Sequence, residues 1–452
     1  MQSGEESVGF KKTSTDWTSC AILHDKMSVP VTINLSGSIK EQLPADIIDF
    51  IKRAGNAAEK RQQRLYLVGG VVRDLLLERG NLDVDMVVEG DAIKLAQEIA
   101  GVNQAKVTTH PRFGTATLKW DKRSADFATA RAETYARPGA LPVVKPGTIR
   151  DDLARRDFSI NAMAILINPR RYGELIDPFG GRQDLAKKLV RVLHDKSFTD
   201  DATRLWRALR YEQRLGFCIE PMTLLLVKRD LAMLKTISGD RLRHELDLVL
   251  KEELPEKALV RADELGVLAK LHPALKGDDW LRETFAAARE RYLTDTFHPH
   301  LYMALLCYRL TAKELEQLIK FLRLPKAMAQ VLRDTLAIKG KIKELAKPGQ
   351  APSVIYNLLH GYGTTSYTAV SIGAVSETAA EHIELYLNVL RHINPALTGD
   401  DLKKLGIPSG PKIKEVLQLL REARLHGKID SRKEEEDMVK GWGRKEENYS
   451  NN

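Results

Sequence analysis

The sequence predicts an α/β head, in which helices pack on a small mixed sheet, followed by an elongated region that is entirely α-helical. Three observations predict this fold class. From residue 43 to residue 131, short apolar runs of strand length alternate with segments of helical periodicity. Beyond the polar, proline-bearing stretch ETYARPGALPVVKPG, the periodicity is helical almost to the end of the chain. The length of 452 residues leaves room for two to four domains.

The elements of the head follow one another along the chain. Residues 1–40 mix Ser, Thr, Gly and Lys without periodicity, so we expect a mobile N-terminal extension there. Asp91 is expected to cap the helix that follows it. The predicted elements are the helix LPADIIDFIKRAGNAAEK, the buried strand LYLVGG, the helix VVRDLLLERG, the strand LDVDMVVEG, the helix DAIKLAQEIAG and the strands RFGTATLKW and SADFATAR.

The remainder is predicted to be helical once the loop ETYARPGALPVVKPG has passed. Breaks near Leu254 and Pro255 and across residues 346–352 are the predicted domain boundaries, and the last residues are expected to fray. The helices are expected at residues 153–162, 200–215, 241–250, 255–265, 281–294, 301–308, 312–322, 326–345, 353–360, 377–392 and 412–425.

Composition narrows the class of protein. Seventy Lys and Arg residues against 61 Asp and Glu residues give a net charge of +9, which favours an anionic partner. The three cysteines, Cys20, Cys218 and Cys307, are far apart, so neither a disulfide framework nor a cysteine zinc site is supported. No apolar run reaches the roughly 18 residues that span a bilayer. We therefore expect a cytoplasmic protein with no membrane partner.

Asp83 and Asp85 are the first candidate site residues. They alternate with apolar residues in a predicted strand, and a period of two places both carboxylates on one face. Neighbouring carboxylates are hard oxygen ligands that suit magnesium and in-line phosphoryl transfer. The alternative is the solvent face of an edge strand, which an isolated D-x-D pair would favour.

A glycine turn just upstream supports the metal interpretation. Gly69 and Gly70 end a strand where Arg73 opens a helix, so backbone N–H groups and a cation could hold a triphosphate. The alternative is an ordinary tight turn, since the segment is neither a Walker loop nor a dinucleotide fingerprint. Asp126 on the strand SADFATAR could add a third carboxylate, as metal ligand or as base, or could instead pair with Arg131.

The ordered motifs carry a resemblance to a known family. LYLVGGVVRDLLLERGNLDVDMVV, DLARRDFSINAMAI, DPFGGRQDLAKKLVRVL, DDATRLWRALRYEQRLGF and SGDRLRHELDLVL resemble the motif series of class II tRNA nucleotidyltransferases and bacterial poly(A) polymerases. GDDLKKLGIPSGPKIKEVLQLLREARLHGKI resembles the tail of many CCA-adding members. The resemblance implies a nucleotidyltransferase head at 41–165, a neck for base selection at 166–254, a helical body at 255–348 and a tRNA-binding tail at 349–452.

The resemblance also assigns roles to residues of the head. It makes Asp83 and Asp85 the metal-binding acids and Asp126 the third carboxylate, and it gives Gly70 with Arg73 the triphosphate contact. Further residues placed around the ribose and phosphates are Arg155, Arg156, Asp157 and Asn161. Without the resemblance, this last group reads as a helix cap with a basic flank, in which Asp157 and Asn161 share one helix face.

In the neck, the resemblance makes Asp201 and Arg204 a protein template for the incoming base. A carboxylate accepts from the exocyclic amine of cytosine or adenine, a guanidinium donates to ring nitrogen or carbonyl oxygen, and uracil and guanine leave polar groups unmatched. Arg204, Arg207 and Arg210 recur every third residue, and the alternative is a solvated charged face. Asp200 stands where the family usually has Glu.

Two further groups are assigned to structure and to RNA. Ser238 is expected to be an N-cap, and Arg241 and Glu245 are expected to form a scaffolding ion pair on one helix face. A basic hairpin near residues 406–411 suits an RNA phosphate backbone better than base readout. Its lysines are Lys403, Lys404, Lys412 and Lys414.

The activity implied is addition of C, C and A to the 3′ end of tRNA from CTP and ATP, with two Mg²⁺ ions and release of pyrophosphate. The expected partners are the tRNA 3′ end with its acceptor and elbow regions, CTP and ATP, with no obligate protein partner. Within the same class, CC-only addition, A-only addition and poly(A) synthesis stay open. The alternative from another class is an RNA-binding protein that has lost catalysis, but all the catalytic positions carry suitable residues.

Overall fold

The structure, a computed structural model, describes residues 33–80, 82–103, 105–134, 143–291, 299–374 and 376–450, without the side chains of 102–103 and 442–450. The chain divides into two compact units. The first, called the head, comprises the described residues within Met1–Ala136, Leu141–Ser197 and Leu215–Leu224. The second, called the helical unit, comprises those within Phe198–Arg214 and Leu225–Asn452.

A mixed seven-stranded sheet is the centre of the head. Its strand order is β3-β4-β5-β2-β1-β8-β9, and within it β2 and β5 run parallel while the other neighbours are antiparallel. Two small two-stranded sheets, β6-β7 and β10-β11, lie apart from it. The strands are β1 Arg64–Val68, β2 Val84–Glu89, β3 Lys106–His110, β4 Thr115–Trp120, β5 Arg123–Thr129, β6 Arg131–Thr134, β7 Val143–Pro146, β8 Ala164–Leu166, β9 Glu174–Ile176, β10 Leu189–Val190 and β11 Cys218–Ile219.

Helices cover this sheet. Phe50 of the second helix stacks on Trp120 at 4.1 Å between ring centroids, and Asp91 caps the fourth helix by accepting from the Lys94 N–H at 3.0 Å, as predicted. The helices in the head are α1 Ser36–Gln42, α2 Ala45–Lys60, α3 Gly70–Leu76, α4 Ala92–Asn103, α5 Ile149–Ala154 and α6 Gly181–Ala186. The mixed sheet with helices confirms the predicted fold class of the head.

Several predicted boundaries of the head differ from the structure. The extension predicted for residues 1–40 ends earlier, because α1 buries Ile39 and Asn34 forms a bridge with Glu174; residues 1–32 lie outside the described residues. The predicted end at 165 is too early, because β8 pairs with β1 and β9 with β8. The predicted loop ETYARPGALPVVKPG begins and ends in the paired strands β6 and β7, and residues 135–142 lie outside the described residues.

The helical unit confirms the prediction of an all-helical region. A core cluster joins Tyr308 and Ile338 to Ile355 and Leu425, so one core crosses the boundary predicted at 348. Along the chain, the boundaries between the two units fall within α7, α8 and α9. The helices are α7 Ser197–Asp200, α8 Thr203–Leu215, α9 Pro221–Asp230, α10 Gly239–Leu250, α11 Pro255–Glu264, α12 Asp279–Arg291, α13 Pro299–Cys307, α14 Ala312–Leu322, α15 Lys326–Lys339, α16 Ile342–Leu345, α17 Pro352–Leu359, α18 Thr364–Gly373, α19 Glu377–Asn388, α20 Gly399–Lys404, α21 Pro411–Leu425 and α22 Arg432–Ser450.

The C-terminal end has a second core, built by α20, α21 and α22. Glu435 is fully buried and accepts from the backbone N–H groups of Ala396 and Leu397 at 2.9 and 2.8 Å. Arg424 forms an ion pair with the same carboxylate. The segment predicted to fray is therefore helical, because a buried carboxylate ties α22 to the chain before α20. Within the described residues, no helix has both the length and the apolar character that crossing a membrane requires.

Candidate active site

The acidic residues of the head meet at the centre of its sheet. Strand β2 pairs in parallel with β5, and this register sets Asp85 directly opposite Asp126. Asp83 precedes β2 by one residue, and the Asp83 and Asp126 charges both act on Asp85. The parallel pairing thus places Asp126 beside Asp85, while Asp83 is close enough for its charge to act on Asp85.

Burial and charge repulsion act together on Asp85. Burial is the largest cause that raises its pKa, from 3.8 to about 6, and the Asp83 and Asp126 carboxylates raise it further against the lowering effect of Arg156. Asp126 is exposed, and it accepts a hydrogen bond from the Thr117 hydroxyl at 2.5 Å. A site that holds several carboxylates at this electrostatic cost is suited to a cation.

A cavity of about 360 Å³ opens over these acids. Asp85 and Asp126 line it, together with Thr115, Thr117, Arg155 and Arg156. The two guanidiniums are held by the fully buried Asp152, with nitrogen to oxygen distances of 2.6 and 3.0 Å. The cavity therefore offers acceptors for a cation and donors for phosphate oxygens within one enclosure.

The glycine turn lies against the same cavity. Gly69 has a φ of +73°, and a Cβ built there would lie 2.9 Å from Arg156 Nη1 and 3.9 Å from Asp85 Oδ2. A side chain would be strained by the backbone and would collide with the arginine. Gly69 therefore lets the backbone approach both charged groups, and Gly70 begins α3 directly after it.

Arg73 lies in a buried polar network instead of projecting into solvent. Its guanidinium binds Asp74 through two nitrogens at 2.8 Å each and donates to Asn161 Oδ1 at 2.8 Å, and its exposure is 5%. Asn161 in turn donates to Asp157 at 3.0 Å. The predicted helix over 153–162 is wrong, because α5 ends at Ala154 and a 3₁₀ turn holds Asn161. Asp157 and Asn161 therefore meet through this turn and not along one helix face.

Asp201 of the helical unit is oriented before any base arrives. Its Oδ1 accepts from the Thr203 N–H at 3.0 Å and from the Thr203 hydroxyl at 2.7 Å, and its Oδ2 accepts from Arg241 Nη2 at 2.7 Å. The predicted pair of Arg241 with Glu245 is replaced by this bond. A carboxylate has about four acceptor positions, so these three bonds leave room on Oδ2 for one more donor.

The arginine stripe that starts at Arg204 is not a solvated face. Arg204 is buried, and Arg210 is 5% exposed and lies 3.5 Å from Glu252. Arg207 is partly exposed and lies 3.9 Å from Glu245, whose pKa is raised chiefly by burial. Asp200 ends α7, immediately before the template position. The guanidinium of Arg210 faces this internal carboxylate. Its predicted contact with the nucleotide stays a prediction.

The remaining predicted residues lie in the helical unit. Ser238 caps α10 by accepting from the Arg241 N–H, as predicted. The four lysines near residues 403–414 are exposed, and Lys403 pairs with Asp400 at 2.8 Å. Their predicted RNA contact stays a prediction.

Sequence reasoning missed two residues that organise the cavity. Asp152 orients Arg155 and Arg156, and its spacing of three and four residues from them is a helix-pairing signal that could have identified it. Thr117 orients Asp126, but this contact depends on the register between β4 and β5, which the sequence does not give.

The acids fit magnesium by their chemistry. Among the described residues, no three or more His, Cys, Asp or Glu side chains converge to hold a metal by themselves. Magnesium commonly binds one or two carboxylates together with substrate phosphates, and Asp83 with Asp85 beside the two arginines offers such an arrangement.

Comparison with known proteins gives consistent similarities. Residues 65–191 match the poly(A) polymerase head domain, and residues 216–278 match a probable RNA and SrmB-binding site of polymerase A. The A-adding tRNA nucleotidyltransferase of Halalkalibacterium halodurans is 34% identical over 424 residues, covering 89% of this chain and 94% of that protein. That of Geobacter sulfurreducens is 35% identical over 422 residues, covering 88% of this chain, which spans only 47% of the relative's length.

Solved structures resemble the chain over almost its whole length. CCA-adding enzyme structures with CTP and with ATP match with TM-scores of 0.77 and 0.76 at 29% identity, each covering 91% of this chain and at least 98% of the other. A Thermotoga maritima CCA-adding enzyme in complex with tRNA matches with a TM-score of 0.73 at 29% identity, covering 91% of this chain and 99% of that one.

Proposed function

The chain belongs to the tRNA nucleotidyltransferase family that carries a poly(A) polymerase head domain, and on this premise we propose that it adds C, C and A to the 3′ end of tRNA. CTP and ATP are the proposed nucleotide donors. The observation that carries the proposal is the cavity that Asp85 and Asp126 line together with Arg155 and Arg156. The carboxylates suit an attacking hydroxyl and a cation, and the guanidiniums suit the oxygens of a triphosphate.

The reaction exchanges one phosphate ester bond for another. The 3′ oxygen of the RNA attacks the α-phosphorus of the nucleotide, the bond to the β-phosphate oxygen breaks, and pyrophosphate leaves. Asp126 accepts the hydroxyl proton, and its bond from Thr117 orients the carboxylate for this task. Arg155 and Arg156 bind the triphosphate oxygens, with Asp152 fixing both guanidiniums.

Asp83 and Asp85 would hold Mg²⁺. The ions would supply charge neutralisation for the triphosphate and a lower pKa for the attacking hydroxyl. Asp157 and Asn161 contact the ribose in this proposal, and Arg73 holds Asn161 in place. Gly69 keeps the backbone close to the phosphates.

Asp201 and Arg204 select the base. The open acceptor position on Asp201 Oδ2 takes the exocyclic amine that cytosine and adenine share, and Arg204 donates to a ring acceptor of the same base. Uracil and guanine present a carbonyl oxygen at the position of that amine, which leaves the carboxylate facing another acceptor. Asp201→Asn should therefore raise incorporation of UTP relative to CTP, measured with equal concentrations of both nucleotides.

The lysines near residues 403–414 contact the tRNA phosphate backbone in this proposal. Their positive charge is exposed, so it can displace counterions from RNA. Replacing Lys404, Lys412 and Lys414 with glutamine should weaken tRNA binding. It should also reduce the slope of the logarithm of the binding constant against the logarithm of the salt concentration by about three. The same change at the exposed Lys313, Lys320 and Lys326, which lie outside the matched segment 216–278, serves as the matched control.

Extension of three tRNAs tests the proposal. They end before the CCA sequence, after the first C and after both C residues, and each is incubated with magnesium and CTP, ATP or both. Completion of all three to CCA, with no further addition, is expected. Long A tails on every tRNA would contradict CCA addition, as would absence of incorporation.

A-only addition is the second candidate, because the relatives that are 34% and 35% identical are named A-adding tRNA nucleotidyltransferases. This function predicts that ATP extends only the tRNA that already ends in CC, and that CTP extends none of the three. The same experiment therefore distinguishes the two functions by the first nucleotide that is added.

A further inference from the structure

An aromatic side chain stands in solvent two residues before Thr115, which lines the cavity. Phe113 is 58% exposed, and it lies in the 3₁₀ turn that joins β3 to β4. Burying a phenylalanine is normally favourable, so an exposed ring beside a functional cavity calls for a partner. The guanidinium of Arg112 lies 5.9 Å from the ring centroid. An exposed aromatic ring with an adjacent cation is the combination that single-stranded RNA favours.

The turn that carries Phe113 is held firmly. Its backbone oxygen accepts from Arg131 Nη1 at 3.4 Å, and Gly114, with a φ of +61°, closes the turn. Thr129 of β5 donates its N–H to the Gly114 oxygen at 3.0 Å. A ring presented on a fixed backbone loses little conformational entropy when a ligand stacks on it. The turn is thus suited to act as a preformed platform.

The platform is close along the chain to residues that line the cavity. Two residues beyond Phe113, Thr115 lines the cavity, and Thr117, which also lines it, donates to Asp126. At about 3.8 Å between consecutive Cα atoms, Phe113 lies at most about 7.6 Å from Thr115. Asp126 is the proposed base toward the RNA hydroxyl, and the turn that carries Phe113 leads directly into the strand, β4, whose residues line the cavity and orient that base.

We propose that Phe113 is a stacking platform for the 3′-terminal base of the RNA that receives the nucleotide, with Arg112 adding attraction for the RNA backbone. This inference rests on the proposed function, because it takes the RNA end to enter beside Asp126. Stacking tolerates any base, and an RNA end whose last base changes from the discriminator to C and then to C again needs that tolerance.

Substitutions that separate stacking from packing test this role. Phe113→Ala should lower kcat/KM for tRNA roughly 5- to 150-fold, the range of one base stacked on an aromatic ring, with KM for ATP within twofold of the wild type. Phe113→Trp should restore the value and Phe113→Leu should not. Phe321→Ala, at the 39% exposed Phe321 of the helical unit, is the matched control and should have no effect.

A modified RNA shows whether the terminal base is the ligand. With an abasic 3′-terminal nucleotide, wild type and Phe113→Ala should have equal kcat/KM, because the stacking partner is gone. The proposal would be overturned if Phe113→Ala lowered kcat/KM on abasic RNA by the same factor as on RNA that carries its terminal base. So would a loss in Phe113→Ala that appears in KM for ATP, or one that Phe113→Leu restores.

A binding measurement separates this inference from the proposed function. A tRNA ending in 2-aminopurine should show fluorescence quenching on binding to wild type, and less quenching with Phe113→Ala, without any nucleotide present. If wild type shows this quenching but never incorporates nucleotide, the platform stands and the proposed function falls. If quenching is equal in both proteins, the platform is overturned whatever the activity.

Discussion

Replacing Asp85 with asparagine should stabilise the head in the absence of metal while abolishing incorporation. The pKa of Asp85 rises from 3.8 to about 6, chiefly through burial and then through Asp83. Each unit of difference in pKa between the folded and unfolded states corresponds to about 1.4 kcal/mol of folding free energy. The charged carboxylate therefore costs at most about 3 kcal/mol at neutral pH, and partial contact with solvent reduces this to about 1–3 kcal/mol.

The pH dependence follows from the sign of this effect. The folded head holds the Asp85 proton more tightly than the unfolded chain does, so this group favours folding below pH 3.8. That contribution is lost as the pH rises through about 6. The advantage of Asp85→Asn over wild type should be complete at pH 7.5 and should vanish as the pH falls toward 4.

Amide hydrogen exchange in β1 and β2, in buffer with EDTA, measures the free energy of opening of the head. Asp91→Asn is the control of opposite sign, because the pKa of Asp91 is lowered by the Lys94 backbone N–H and its charge therefore stabilises. Adding Mg²⁺ should stabilise wild type and not Asp85→Asn. An Asp85→Asn protein less stable than wild type in EDTA at pH 7.5 would refute this explanation of the site.

Arg241→Gln removes the guanidinium that orients Asp201, so KM for ATP should rise about tenfold and KM for tRNA should stay within twofold, with Arg241→Lys partly restoring activity; steady-state kinetics that show equal KM values for ATP would contradict this role. Glu435→Gln leaves Arg424 without its buried counter-charge, so the free energy of unfolding of the C-terminal core should fall by about 3 kcal/mol in urea titrations, and a loss below about 1 kcal/mol would remove that role. Gly69→Ala should destabilise the head by about 1–3 kcal/mol and lower kcat, because the φ of +73° at this position strains any side chain. A thermal melting curve and a kcat like those of wild type would show that this position tolerates a side chain.

The carboxylates could be predicted because their signal is local. Alternation of Asp83 and Asp85 with apolar residues depends only on strand periodicity, and β2 forms where it predicts. The pairing of β2 with β5 is a contact across about forty residues, so Asp126 could be proposed as a neighbour but its register could not. Strands β8 and β9 have three residues each, too few to show alternation, so the sequence pattern predicts an end of the head that is too early.

The arginines of α8 show what periodicity cannot give. Their spacing places them on one face, but the partner of Arg210 is Glu252, which follows α10 about forty residues further along the chain. The same holds for Arg241, whose spacing from Glu245 suggests an ion pair within α10. It binds Asp201 instead, because folding brings this carboxylate, which is forty residues away in sequence, next to the Arg241 guanidinium. Local spacing thus identifies the charged residues, and tertiary packing decides their partners.

The most direct test of the central claim measures transfer of labelled AMP from ATP to a tRNA ending in CC, in single-turnover conditions with Mg²⁺. Wild type, Asp83→Asn, Asp85→Asn and the control Asp121→Asn, at an exposed acid in the turn between β4 and β5, are compared with tRNA binding measured in parallel. We expect both site variants to lose about 10³-fold or more in rate while they and the control bind tRNA normally. Rates of the two site variants within tenfold of wild type would contradict nucleotidyl transfer at these carboxylates.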